Sequence, residues 1–144
     1  MPETFRTTRR VEFCQTDAAG IMHFSQFFLM MEQAEHELLR HLGSSVVCPH
    51  PEGSLSWPRV AAGCQFRDAV RFEDLLDIDV TVDRLGDTSV TYRFRFSHAA
   101  REVAEGYLTA VCCRMVPGQR PLPTAIPGEL RERLARYLQP SPTP

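Results

Sequence analysis

The arrangement in this chain best suited to chemistry is an aspartate in a turn of small residues, directly ahead of a long apolar segment: Thr16-Asp17-Ala18-Ala19-Gly20-Ile21-Met22-His23-Phe24-Ser25. A carboxylate can serve as general base or as nucleophile. The start of a helix leaves its first N–H groups unpaired and carries positive partial charge, so negative charge developing on a bound carbonyl oxygen is stabilised there. Taken alone, Asp17 has a plain structural use as well, because Asp ahead of Ala-Ala-Gly forms turns and satisfies nearby amides. The combination favours chemistry: Gly20 permits close backbone approach, the helix follows at once, and Phe, Ile and Met around the acid would partly desolvate it.

Other candidates are weaker. His23 titrates near neutrality and could donate or accept a proton, yet a single His at a helix start also serves as a hydrogen-bonded structural residue. Glu32 and His36 have the spacing of a two-ligand metal face, but no third ligand accompanies them, and the alternating charges of Glu32, Glu35, His36 and Glu37 read as a solvated or interface face. No metal is expected. Cys14 lies three residues before Asp17 and lacks a recognisable base, so it reads as a structural thiol. There is no GxSxG elbow, no GxGxxG or Walker loop, and no basic stripe interleaved with aromatics.

The elements that must hold Asp17 follow from patterning. The chain has 144 residues and a formal net charge of −2, which suits one domain, residues 1–139, with a disordered Pro-Ser-Pro-Thr-Pro tail over 140–144. Mixed charge gives no general attraction for nucleic acid or an acidic membrane. The start is polar and no run is long and apolar enough to span a bilayer, so a cytoplasmic location is expected. Five cysteines without a CxxC pair suggest buried free thiols.

Alternation predicts strands over Thr7–Cys14, Arg59–Phe66, Leu75–Leu85, Thr88–Ser97 and Glu102–Val116, with Gly86-Asp87 turning a hairpin. Residues from Phe24 to Leu42 form a helix stopped by Gly43, and a short amphipathic helix covers Gly128–Leu138 after a proline-rich connector. The first half of the long helix is apolar on nearly every side. The expected class is α+β, a curved antiparallel sheet around that helix, with a second copy covering what one sheet leaves bare.

The segment Thr16–Phe24, the helix ending Glu35-His36-Glu37-Leu38-Leu39-Arg40-His41-Leu42-Gly43 and the strand from Pro58 resemble the 4-hydroxybenzoyl-CoA thioesterase family of hot-dog-fold proteins, in order over roughly Thr7 to Met115. The resemblance implies a five-stranded antiparallel sheet wrapped around a central helix, and dimers with active sites at the subunit interface. It further implies Asp17 as the acid that attacks a thioester carbonyl or activates water. Phe24 takes the position whose backbone N–H polarises the thioester oxygen, and Gly20 keeps the turn open. Ile21, Met22 and His23 border the acyl group, and Val60, Ala61 and Ala62 match the strand that a neighbouring subunit presents to the pocket. Their small size suggests room for an aromatic acyl group. Phe24 stands where many relatives carry a Tyr or His that assists catalysis, and Gly86-Asp87 replaces basic residues that some use against coenzyme A. Arg84, Arg93, Arg114 and Arg120 are the substitutes on offer.

The expected function is hydrolysis of an aromatic, 4-hydroxybenzoyl-CoA-like, or medium-chain acyl-CoA to free acid and CoA. No cofactor is expected beyond CoA as part of the substrate, and the expected assembly is a homodimer paired into a tetramer. The alternatives are a non-catalytic acyl-thioester-binding protein and a hydroxyacyl-thioester dehydratase, the latter wanting a His partnered by a separate acid.

Overall fold

A computed structural model describes residues 1–140. All of the expected tail except Pro140 therefore lies outside the described residues. In chain order the elements are β1 (Phe5–Arg10), α1 (Ser25–His41), β2 (Cys48–His50), β3 (Gly53–Ser56), β4 (Arg59–Phe66), β5 (Leu75–Leu85), β6 (Ser89–His98), β7 (Arg101–Val111), β8 (Cys113–Met115), β9 (Leu122–Pro123) and α2 (Gly128–Ala135).

Five strands form one antiparallel sheet in the order β1-β5-β6-β7-β4, against which α1 lies. The period-2 pattern explains the inner face: Leu76, Ile78, Val80 and Val82 of β5 and Val90, Tyr92, Phe94 and Phe96 of β6 are all fully buried. Gly86 N–H donates to Ser89 C=O at 2.8 Å and closes the hairpin between them. From the helix, Phe27, Met30, Met31, Ala34, Leu38 and Leu39 fill the space over that face. The helix ends as its Gly43 requires, with φ +78 at that residue, Gly43 N–H bonded to Arg40 C=O at 3.0 Å and Ser44 N–H to Leu39 C=O at 2.8 Å. This is the α+β hot-dog architecture, a sheet wrapped around one long helix.

Three features depart from the patterning. The first strand stops at Arg10, because Val11 turns into the core while its backbone bonds Asp74 and Glu73, and Phe13–Gln15 then form a 3₁₀ turn. Cys14 is thereby exposed rather than buried. The last long strand breaks at Cys112, whose N–H and C=O bond Thr88 and Thr124, so β8 leaves for a second sheet of order β2-β3-β8-β9. That sheet of strands two to four residues long is too short for alternation to reveal. In the single chain Phe24 and Leu29 of the helix region stay 59% and 51% exposed.

Candidate active site

Asp17 sits in a miniature hairpin. Thr16 and Met22 form an antiparallel bridge, Asp17 N–H donates to Ile21 C=O at 2.9 Å, and Gly20 N–H donates to Asp17 C=O at 2.9 Å. Gly20 takes φ +78, a conformation that a side chain would strain. One carboxylate oxygen of Asp17, Oδ1, accepts the Ala19 N–H at 2.8 Å, which is the turn-forming use anticipated from its neighbours. Oδ2 has no hydrogen-bond partner among the described residues. One oxygen thus fixes the half-buried carboxylate and the other stays available.

The hairpin is tied down from two sides. Met22 N–H donates to Val70 C=O at 2.8 Å and His23 N–H to Gln15 C=O at 2.8 Å. The loop from Arg67 to Asp74 is therefore part of the site's frame, and its Phe72 ring meets Phe13 edge-on with centroids 5.6 Å apart. Nothing in the local sequence spacing marks that loop, since it reaches the hairpin only through tertiary pairing.

His23 is committed to the helix start. Its Nδ1 lies 2.8 Å from Ser25 Oγ and 3.2 Å from the Ser25 N–H, which donates to it. Next in the chain, Phe24 precedes α1 with φ −56 and ψ −32, and its N–H is taken up by no group among the described residues. A free backbone donor at the positive end of a 17-residue helix suits an oxyanion. The Phe24 ring packs against His23 at 4.6 Å and Phe66 at 6.3 Å, and Phe66 also meets Phe27 at 5.3 Å.

The remaining candidates divide. Ile21 is half-buried beside Asp17, whereas the Met22 side chain is only 4% exposed and belongs to the core. Val60, Ala61 and Ala62 are exposed on β4, the edge strand of the sheet. Since Phe66, at the other end of β4, is the residue that meets Phe24, Val60 lies about 20 Å further along the strand. A single chain does not bring these three to Asp17.

Among the arginines, Arg93 is held by Asp83 and Glu105, and Arg114 by Glu52, which leaves Arg84 and Arg120 as the exposed ones of the four. A concavity of about 940 Å³ on the outer face of the sheet, lined by Thr81, Glu105 and Tyr107 among others, takes in Arg84 and Arg93 of the four arginines but neither Asp17 nor any of the acyl-site candidates. The sequence reading also missed Glu35, which is 1% exposed and ion-paired with Arg59 rather than solvated. Its i+4 spacing from Met31 and i−3 spacing from Leu38 was the available signal.

A five-stranded antiparallel sheet wrapped around one long central helix is the hot-dog fold, and here an acid stands in a tight turn just ahead of that helix. The chain belongs to the thioesterase superfamily, whose family model matches residues 19–105, beginning just after Asp17. It is 32% identical over 129 residues to the 1,4-dihydroxy-2-naphthoyl-CoA hydrolase of Synechococcus sp. strain WH7803, covering 84% of each chain. The structure of a gentisyl-coenzyme A thioesterase superimposes with a TM-score of 0.77 at 26% identity, over 90% of this chain and 99% of that one. A 1,4-dihydroxy-2-naphthoyl-CoA thioesterase from Synechocystis shares the fold, with a TM-score of 0.80 at 22% identity over 92% and 96% of the two chains. By family the protein is a thioester hydrolase. No helix of the described residues is long and apolar enough to cross a membrane.

Proposed function

We propose that the protein hydrolyses an aromatic acyl-CoA thioester to the free acid and coenzyme A. The observation that carries this reading is that one carboxylate oxygen of Asp17 and, at the start of the helix that follows, the Phe24 N–H are both without partners among the described residues. As general base, Asp17 Oδ2 takes a proton from water, and the resulting hydroxide adds to the thioester carbon. The Phe24 N–H and the helix start hold the oxyanion. Collapse breaks the C–S bond, and the departing thiolate recovers the proton from Asp17. As nucleophile the same oxygen would instead form a mixed anhydride that water then cleaves.

The aromatic acyl group is favoured over a medium-chain one by the similarity to a 1,4-dihydroxy-2-naphthoyl-CoA hydrolase and a gentisyl-coenzyme A thioesterase, both named for aromatic thioesters. In this reading two copies of the chain join along β4, an exposed edge whose Val60, Ala61 and Ala62 carry no charge to block pairing. Each copy then offers those residues to the acyl group bound by its neighbour, and dimers pair into a tetramer. The dehydratase alternative finds no support in His23, whose Nδ1 is occupied by Ser25.

The test is release of free thiol from a panel of acyl-CoA and acyl-carrier-protein thioesters by the parent and by Asp17→Asn. A loss of about 100-fold or more in kcat for the variant, with aromatic CoA esters preferred, supports the proposal. Turnover unaffected by Asp17→Asn defeats it, and binding of CoA esters without turnover by the parent establishes the non-catalytic alternative.

A further inference from the structure

Arg59 opens β4 and reaches across to the central helix. Its Nη1 donates to Glu35 Oε2 at 2.8 Å and to Trp57 C=O at 3.1 Å, and its Nη2 donates to Glu35 Oε1. Around the pair stand Glu32, 3.6 Å from Arg59, and His36, 3.6 Å from Glu35, together with the fully buried Tyr92, whose hydroxyl has no partner. A charged pair sunk between helix and sheet is a poor source of stability, because apolar side chains of similar volume serve as well or better. Its effect on the strand is the more informative property.

The register of β4 against β7 shows that effect. Arg59 faces Ala110, Ala62 faces Leu108, Cys64 faces Gly106 and Phe66 faces Ala104, and all four β7 residues are buried on the helix side. Ala61, Gly63 and Gln65 face Thr109, Tyr107 and Glu105 on the outer side. An unbroken strand in phase with Ala62, Cys64 and Phe66 would send residue 59 outward, since alternate residues share a face. Arg59 points inward only because the register slips between Arg59 and Ala61, leaving Val60 as an extra, unpaired residue that is 63% exposed. Bulge and ion pair therefore require each other: flattening the strand would withdraw Arg59 and strand the Glu35 carboxylate in the core.

We propose that Arg59, through its ion pair with Glu35, is a positioning residue that holds the β4 bulge and so sets Val60, Ala61 and Ala62 at the edge where a second copy of the chain completes the acyl site. This rests on the reading of β4 as the joining edge given under the proposed function. The pair acts on acyl binding and on association, at a distance from Asp17, so its loss raises KM and the dimer dissociation constant while kcat holds.

The experiment compares the parent with the Glu35→Met/Arg59→Met double variant, apolar at both positions, and with Arg59→Lys. It uses thermal melting, sedimentation equilibrium and steady-state hydrolysis of 4-hydroxybenzoyl-CoA. The double variant removes both charges, so it melts close to the parent, while its dimer dissociation constant and its KM each rise by at least about tenfold. Arg59→Lys, whose single point charge cannot fork both carboxylate oxygens, shifts the same two quantities less. A folded double variant with parental KM and dimer affinity overturns the inference, as does a parent that stays monomeric at every concentration. If the double variant does not fold, Arg59→Lys decides alone, and parental values there overturn it. Hydrolysis that survives Asp17→Asn would instead defeat the proposed function, while the dimer constant still reports on Arg59.

Discussion

Gly106 of β7 and Met31 of α1 meet where the helix crosses the sheet, so closely that a Cβ on Gly106 would lie 2.6 Å from Met31 Sδ and 2.9 Å from the Gly63 carbonyl. The glycine lets the helix settle onto the strand, and the backbone carbonyl on the other side leaves little slack. Gly106→Ala should therefore destabilise the fold by about 1–3 kcal/mol, the usual range for overpacking. Urea denaturation measures it. Combined with Met31→Ala, the penalty should be less than additive, because the flexible thioether is one of the two obstructions.

Gly20 makes the opposite prediction. Nothing lies within 4 Å of a Cβ placed there, so Gly20→Ala meets only the strain of φ +78, about 1–2 kcal/mol. The hairpin can relieve that strain by shifting the Asp17–Gly20 bond, which leaves the core untouched. The variant should melt near the parent and lose kcat, with KM little changed, in a steady-state assay of CoA release. Unchanged kcat would separate the turn's geometry from catalysis.

Burial pushes the Glu35 carboxyl up to about 7 from an ordinary 4.5, with Glu32 adding to the rise and Arg59 opposing it. The folded chain then binds this proton more tightly than the unfolded chain does. The resulting stabilisation is present in full below pH 4.5, is lost as pH rises toward 7, and is absent above. His36, lowered chiefly by burial, acts at the acid end, where folding is disfavoured as its unfolded form takes up a proton below pH 6.5. Glu35→Gln keeps His36 and removes the carboxyl. Relative to that variant, the parent should lose up to about 3 kcal/mol between pH 4.5 and 7.5, measured by urea denaturation at each pH. Parallel profiles would show that Arg59 keeps Glu35 ionised throughout.

The thiols give a check on the fold itself. Cys14 is exposed on the 3₁₀ turn, Cys112 and Cys113 are buried, and burial pushes the half-buried Cys64 thiol up to about 11. Iodoacetamide at neutral pH should label Cys14 first, with Cys64, Cys112 and Cys113 labelled slowly, as read by peptide mass spectrometry.

The sequence revealed those parts of the molecule whose periodicity is local. Leu76 to Val82 and Val90 to Phe96 alternate because each faces the helix on one side, and the strand bounds from Leu75 to Leu85 follow directly. The Asp17 turn and the helix after it are likewise contiguous. Glu35 was misread because charge was given more weight than position: its helical spacing from Met31 and Leu38 aims it inward, and the partner that makes this tolerable comes from a strand 24 residues away. The Arg67–Asp74 loop and the small second sheet were invisible for a related reason, since both exist through pairings between distant segments. Val60 to Ala62 carry the same difficulty one step further, as their proposed role requires another chain.

The role proposed for Phe24 can be separated from that of its ring. Phe24 has φ −56, within the range that proline enforces, and proline is well accepted where a helix begins because the N–H it lacks has no helical partner there. Phe24→Pro therefore removes the amide donor while keeping the backbone angle, whereas Phe24→Ala removes the ring contacts with His23 and Phe66 and keeps the donor. Loss of one oxyanion donor lowers kcat by about 100- to 1000-fold. Phe24→Pro should show a loss of that size and Phe24→Ala a loss below about tenfold, with circular dichroism reporting that both retain the helix. Equal losses in the two variants would assign the effect to the aromatic contacts, and the oxyanion donor would then have to be sought elsewhere at the helix start.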